Sequence, residues 1–336
     1  MWLGSGVTSS MRGVATDRES APPIDFNRPE LTMRLSKLVR IGVVTCLMAA
    51  GAVALTVVWK IYVVEKESLV APRSELQFAL DTVGVPGLHE VSIAGPAGSE
   101  TVAGWYLAPR NGTVVLLAHG SGADRSSMIP EIRILAAAGI GVLAVDSPGY
   151  GRTAGSAVSD SQARRSLFTA IDWLARQPGI DRSRIGAIGF SLGGYRLAQV
   201  AAVDQRISRV VLMGVPPDGA AVTYYFYRHW TPIAGWIALR IDRALGSEPD
   251  VGTPREVIGR IAPRRILFID GDRDTTVPLE MAQELYSYAN EPKEFFVVRG
   301  ASHGTYAKVA PLEYAARLVQ FFGGASAGAS EAATAK

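Results

Sequence analysis

The first seventy positions sort polar and apolar residues into blocks instead of alternating them. Positions 41–59 read IGVVTCLMAAGAVALTVVW, nineteen residues without a charge, and IYVV follows Lys60. A helix that crosses a bilayer core needs roughly 20 apolar residues, with about 17 to 25 seen. The pattern predicts a transmembrane helix over 41–64. A buried core helix of this composition would need amphipathic partners, yet the forty residues before it are polar and show little helical period. A cleaved signal peptide is the nearer rival. AVA at 52–54 offers small residues for cleavage, but the apolar run continues past it, which favours an uncleaved anchor. Lipid attachment at Cys46 is disfavoured because most of the run follows that residue.

Flanking charges set the orientation of such a helix, since Lys and Arg stay on the cytoplasmic side. Arg28, Arg34, Lys37 and Arg40 precede the run; Lys60, Lys66 and Arg73 follow it, interspersed with Glu65, Glu67 and Glu75. The slight bias puts the N-terminus inside. Residues 1–40 are then expected to form a cytoplasmic segment without fixed structure, and the chain beyond a linker at 65–82 to be extracytoplasmic. Met11 and Met33, the latter opening the basic stretch MRLSKLVR, are alternative translation starts.

From about position 83 the pattern changes to short apolar runs separated by helical stretches. HEVSIAG (89–95) and TVAGWYLAP (101–109) read as strands paired around the turn at 96–98. TVVLLAHG (113–120) is a continuous apolar run, as expected of a strand covered on both faces of a parallel sheet. Helices near 127–138 and 160–177 flank IGVLAVD (140–146). RIGAIGF (184–190) leads into another helix, and RVVLMG (209–214), RILFIDG (265–271) and EFFVVRG (294–300) complete the strands before a closing helix over 311–322. This alternation implies an α/β fold, a mostly parallel sheet with helices on both faces. The tail GGASAGASEAATAK (323–336) is low in complexity and expected to be disordered.

Composition removes several classes of function. The formal net charge is +3 and no run of five basic residues occurs, so the electrostatic footprint of a nucleic-acid binder is missing. A single cysteine excludes an intrachain disulfide, and no cysteine–histidine cluster has zinc spacing. No metal or organic cofactor is implied, and the oligomeric state is not legible.

In open α/β sheets ligands bind beyond the carboxyl ends of the strands. HGSG, DSPGYG, Ser191, DRDTTVP and ASHGTY each follow a strand here. Ser191 stands in GFSLGG, between Gly189 and Gly193. This stretch resembles the G-x-S-x-G nucleophile elbow of the α/β-hydrolase superfamily, where a serine sits on a strained strand-to-helix turn. The resemblance covers about 83–322 and implies the α/β-hydrolase fold, with a triad in the order Ser191, Asp274, His303. In such a triad the histidine takes the serine's proton near neutral pH, and the carboxylate fixes the imidazole tautomer. Among four histidines, His89 opens a strand, His229 lies in an insertion, and His119 occupies the place of the family's structural histidine. Asp270, Asp272 and Asp274 crowd one loop; G-x-x-D-x-x-V-P over 271–278 resembles the family's acid loop and selects Asp274 over Asp272. The resemblance also makes the backbone N–H groups of Leu192 and Ser121 the oxyanion donors, with Gly122 replacing Ser121 if the loop is shifted by one. The DSPGYG loop reads as structural, with Tyr150 bordering the pocket.

About fifty residues, 215–262, separate the strands at 209–214 and 265–271, against the usual two to six. In this family a cap is commonly inserted there. Its stretch TYYFYRHWTPIAGWIALRI (223–241) is rich in Tyr and Trp. These aromatics either give a small cap its own core, or some of them, Tyr224, Tyr225 and Trp230 among the candidates, line an apolar acyl pocket near a membrane interface. The resemblance implies a membrane-anchored serine hydrolase acting on small-molecule carboxylic esters or thioesters. Serine at 191 disfavours the dehalogenases and epoxide hydrolases of this fold, which carry aspartate there; cofactor-free haloperoxidases stay open. The alternative is a peptidase, since IDWLARQPGIDRSRIGAIGFSLGG (171–194) also resembles prolyl-oligopeptidase-like catalytic domains. A second alternative is a hydrolase-fold binding protein without catalysis. Membrane lipid is the other expected partner, through the N-terminal helix.

Overall fold

The computed structural model describes residues 29–69, 78–96, 101–155, 160–228, 232–244 and 251–323. The expectations for residues 1–28, for Trp230 and for the tail beyond Gly323 lie outside the described residues. Two compact units divide the chain, Met1–Leu55 and Thr56–Lys336.

Helix α1, Pro29–Leu69, contains one stretch, Met33–Val63, that is long and apolar enough to cross a membrane, with a mean hydropathy of 2.4. The helix exceeds the expected 41–64 at both ends, entering the segment expected to lack structure and the expected linker. The flanking residues explain this: Glu30, Leu31, Leu35 and Lys37 before the run, and Glu65, Lys66 and Glu67 after it, are strong helix formers. Within the helix the hydroxyls of Ser36 and Thr45 donate to the carbonyls of Met33 and Ile41, each at 2.9 Å, so neither polar group is left bare.

The second unit is organised on one sheet of eight strands: β1 (His89–Ala94), β2 (Thr101–Leu107), β3 (Val114–Ala118), β4 (Gly141–Val145), β5 (Ile185–Phe190), β6 (Ile207–Met213), β7 (Arg265–Gly271) and β8 (Lys293–Val298). Their spatial order is β1-β2-β4-β3-β5-β6-β7-β8. The β1–β2 and β2–β4 pairs are antiparallel, and every other pair is parallel. The helices after α1 are α2 (Ile129–Ala137), α3 (Asp160–Leu174), α4 (Ser191–Ala201), α5 (Gly219–Tyr227), α6 (Pro232–Ala244), α7 (Pro254–Val257), α8 (Leu279–Tyr288), α9 (Tyr306–Val309) and α10 (Pro311–Gly323).

Successive side chains of β3 enter two different cores, as the two-residue period of a strand requires. Val114, Leu116 and Ala118 join Leu167 and Ile171 of α3 and Leu197 of α4 on one face. Val115 and Leu117 join Ile132 and Leu135 of α2 and Leu318 and Phe321 of α10 on the other. Covering on both faces is why the parallel strands read as unbroken apolar runs. The ring of Phe322 lies over β5 at Gly186, where a Cβ would fall 2.4 Å from its Cε1, so glycine is what lets α10 approach this closely. Between β6 and β7 the insertion holds α5, α6, α7 and a short turn of 3₁₀ helix, Ile258–Ile261. Tyr227 of α5 and Ala234 and Ala238 of α6 are buried together with Ile61 in a small core of their own.

Candidate active site

Strand β5 ends at Phe190 and α4 starts at Ser191 with no connecting residue. Ser191 has φ 51°, and among the described residues no other non-glycine residue has a positive φ. That backbone costs an L-residue about 1–2 kcal/mol, and its surroundings enforce it. A Cβ on Gly189 would fall 2.4 Å from Gly194 Cα, and one on Gly193 would fall 2.3 Å from the carbonyl oxygen of His119. Backbone therefore meets backbone around the serine, and the flanking glycines are required by contact. Leu192 follows in the first turn of α4, where N–H groups have no acceptor within the helix.

The loop after β3 passes directly beside this turn. A Cβ on Gly120 would lie 2.9 Å from Phe190 Cδ1 and 3.2 Å from Ser191 Cβ. His119 is buried, and burial pushes its pKa below the usual histidine value. Its Nε2 accepts the Ser147 N–H at 2.9 Å, and its Nδ1 lies 2.8 Å from the carbonyl of Gly120. The neutral ring thus carries its proton on Nδ1 and ties the β3 loop to the β4 loop. Ser121 comes next, exposed, with its Oγ 3.3 Å from the Tyr150 hydroxyl. Tyr150 is buried, and its ring meets His119 edge-on. Gly122, at φ 69°, has open space where a Cβ would stand.

The DSPGYG loop folds around its own first residue. The buried Asp146 carboxylate accepts the N–H groups of Arg125 at 2.9 Å and Arg152 at 2.8 Å, and pairs with the Arg125 guanidinium. A Cβ on Gly151 would land 2.2 Å from Asp146 Oδ2. The loop therefore holds shape around a paired charge.

Three aspartates follow or end β7, and each has a different partner. Asp274 Oδ1 accepts the N–H groups of Thr276 and Val277, both at 2.8 Å, and its Oδ2 lies 2.7 Å from His303 Nδ1. Asp272 accepts the Gly300 N–H. Asp270 is fully buried and accepts the Gly214 N–H at 3.1 Å; burial pushes its carboxyl up to about 8. His303 stacks at a tilt on Phe190, ring centroids 4.7 Å apart, so the imidazole lies against the residue that precedes Ser191.

Ser191, Leu192, Ser121, Asp274 and His303 thus share the carboxyl edge of the sheet, and Tyr150 sits beneath the β3 loop. Tyr224 and Tyr225 lie on α5: the ring of Tyr224 packs on Gly235, and the Arg228 guanidinium lies 4.4 Å from the Tyr225 ring centre. Phe190, Gly214 and Tyr306 shape the site without having been sequence candidates. Gly214 has φ 58°, and a Cβ there would fall 2.9 Å from both His303 Cε1 and the Tyr306 hydroxyl. Tyr306 is signalled only by its place three residues after His303, and Phe190 only as the residue between Gly189 and Ser191. Among the described residues no group of three or more His, Cys, Asp or Glu side chains is arranged to hold a metal ion.

Residues 115–260 match the model of the alpha/beta hydrolase family. An uncharacterized protein of Mycobacterium tuberculosis strain H37Rv is 28% identical over 203 residues, which span 60% of this chain and 67% of that protein. Thiohydrolase aneE of Aspergillus aculeatus is 31% identical over 110 residues, 32% of this chain and 35% of that protein. The solved structure of the Pyrococcus furiosus esterase Pf2001 matches with a TM-score of 0.63 at 23% identity, over 75% of this chain and 96% of the esterase. An alpha-beta hydrolase from Vibrio vulnificus gives a TM-score of 0.58 at 22% identity, over 76% and 89%.

Proposed function

From the premise that this chain is a member of the α/β-hydrolase fold superfamily, we propose that it is a membrane-anchored serine hydrolase. It cleaves carboxylic ester or thioester bonds through an acyl-enzyme. The observation that carries this reading is the left-handed backbone of Ser191 at the head of α4, a strain of the kind that clusters at functional sites. The hydrogen bond from His303 to Asp274 supports it further.

On this reading His303 Nε2 takes the Ser191 hydroxyl proton as Oγ bonds to the substrate carbonyl carbon. The resulting oxyanion is held by the N–H groups of Leu192 and Ser121, each worth about 2.7–4 kcal/mol. The carbon–oxygen or carbon–sulfur bond then breaks, and the imidazolium returns the proton to the leaving alkoxide or thiolate. Water repeats the sequence on the acyl-serine and releases the acid. An esterase and a thiohydrolase among the similar proteins support this choice of acyl substrate.

The hydrolase domain extends over 83–322 with a cap at 215–262, and α1 anchors it. Four basic residues before the apolar run, against three mixed with glutamates after it, keep the N-terminus inside and the catalytic domain outside. The full chain in detergent should be labelled by a fluorophosphonate and should hydrolyse p-nitrophenyl esters and an acyl thioester. Ser191→Ala should abolish all three signals. Labelling that persists in the variant would remove Ser191 from the mechanism, and turnover of an aminoacyl anilide without ester turnover would make the protein a peptidase.

A further inference from the structure

Most of the apolar stretch of α1 is exposed along 33–56, but Ile61 is fully buried. It packs, together with Val57, on Tyr227, Ala234, Ala238, Ile237 and Ile241 of the α5–α6 hairpin, all within the unit Thr56–Lys336. The stretch able to cross a membrane ends at Val63. At 1.5 Å per residue, Val57 and Ile61 are within about 9 Å of that end. A bilayer's headgroup layer is roughly 5–8 Å thick on each side of its hydrocarbon core. The hairpin is therefore fastened to the part of the helix that meets the membrane boundary.

Its remaining surface suits that boundary. Tyr224, Phe226, Ile233 and Trp236 are 43%, 49%, 69% and 56% exposed, although they are large and apolar or aromatic. Two arginines lie beside them, Arg228 over the Tyr225 ring and Arg240 at 4.9 Å from the Trp236 ring centre. Aromatic rings mixed with cationic side chains are favoured where hydrocarbon meets headgroups, and an exposed apolar patch usually marks a contact surface. The chain also enters the hairpin from the site, since α5 begins five residues after Gly214, whose missing Cβ would touch His303 at 2.9 Å.

We propose that the α5–α6 hairpin lies in the headgroup layer of the bilayer that α1 crosses, with Phe226, Ile233 and Trp236 embedded. The site accordingly receives acyl lipids laterally from that leaflet instead of soluble esters from water. The inference rests on the anchored-hydrolase reading above, and its test separates the two. Cys46 is the single cysteine and lies inside the apolar stretch. An environment-sensitive fluorophore is attached to Cys46 in the full chain, to Cys46→Ala/Ile233→Cys, and to Cys46→Ala/Val203→Cys. Val203 is exposed just after α4, at the opposite edge of the sheet.

Each protein is reconstituted into phosphatidylcholine–phosphatidylglycerol vesicles containing a lipid that carries a nitroxide near its headgroup. Emission should be lost at 46 and 233 and retained at 203. Loss at 46 without loss at 233 overturns the docking and leaves the anchor standing. Retention at 46 overturns both, whatever the fluorophosphonate labelling shows. Equal loss at 203 and 233 overturns the assignment of this face. Protection at 233 from both the lipid quencher and aqueous iodide assigns the face to a second copy of the chain and overturns the proposal. Ile233→Ser should lower the ratio of turnover for an ester dissolved in the vesicle to turnover for a water-soluble ester. An unchanged ratio overturns lateral delivery.

Discussion

Replacing Asp274 by asparagine tests the proposed mechanism at its most directional contact. The carboxylate serves three partners, the N–H groups of Thr276 and Val277 on one oxygen and His303 Nδ1 on the other. Asparagine keeps an oxygen for the two amides, so its NH₂ must face the imidazole. Nδ1 then has to accept, and the ring proton moves to Nε2, the atom that must be empty to take the serine's proton. The same substitution in a serine protease lowers kcat about 10⁴-fold, which is about 5.4 kcal/mol at 1.36 kcal/mol per decade. A loss of that order is expected here, with a stability change within about 1 kcal/mol, because both amide donors stay paired. The assay is kcat for p-nitrophenyl butyrate alongside the thermal midpoint. Asp272→Asn is the control, since among the described residues Asp272 holds the Gly300 N–H and not the imidazole; its kcat should change by a few-fold at most. The reasoning is refuted if Asp274→Asn keeps more than about a tenth of kcat, a deficit under about 1.4 kcal/mol, or if Asp272→Asn is the more damaging.

Glu131 is buried, accepts the Tyr314 hydroxyl, and is pushed by burial up to about 7 from an ordinary 4.5. The folded protein then binds this proton more tightly than the unfolded chain, so stability falls as pH rises from 4.5 to about 7, by about 3 kcal/mol at most. Glu131→Gln still accepts from Tyr314 and should flatten that part of the curve of thermal midpoint against pH; an unaltered slope would assign it to another group. Gly186→Ala drives a methyl into the Phe322 ring and should cost about 1–3 kcal/mol by urea unfolding. Most of that cost should vanish in a Phe322→Ala background, whereas additive costs would mean that the ring is not what the methyl meets. Ser191→Gly and Ser191→Ala should both be inactive, but the glycine variant should be the more stable by about 1 kcal/mol, because only alanine retains the left-handed strain.

The fold was most legible where strands are covered on both faces. Residues of β3, β4, β5 and β7 read as apolar runs within one or two positions of their true ends, because no solvent-facing residue interrupts them. Strand β6 begins at Ile207, two residues before the apolar run, since Ser208 and Arg209 are only partly buried. Helix α8 escapes the hydrophobic pattern because its buried side chains are just Ala282 and Leu285. Helix α5 escapes it for the opposite reason: aromatic residues stand on both its sides, Tyr227 buried and Tyr224 and Phe226 exposed, leaving no amphipathic period to read. At the site, the resemblance of 271–278 to the family's acid loop pointed to Asp274 among three aspartates, while the surroundings of Phe190 and Gly214 depend on contacts between segments far apart in the chain. No local pattern records that a Cβ at Gly214 would collide with His303.

The sheet order has a consequence for the birth of the molecule. Strands β3 and β5 are neighbours, with β4 on the far side of β3, so the Ser121 loop and Ser191 meet only after an intervening strand has been laid aside. His303 comes later still, beyond β8, the edge strand and the last to be made. On the ribosome α1 emerges first, the Ser121 loop second, Ser191 third and His303 last. On the proposed reading, a chain still being synthesised would carry Ser191 in a membrane without the imidazole assigned to activate it. If the proposed triad operates, the order of translation itself keeps the nascent chain inert until the loop beyond β8 has docked.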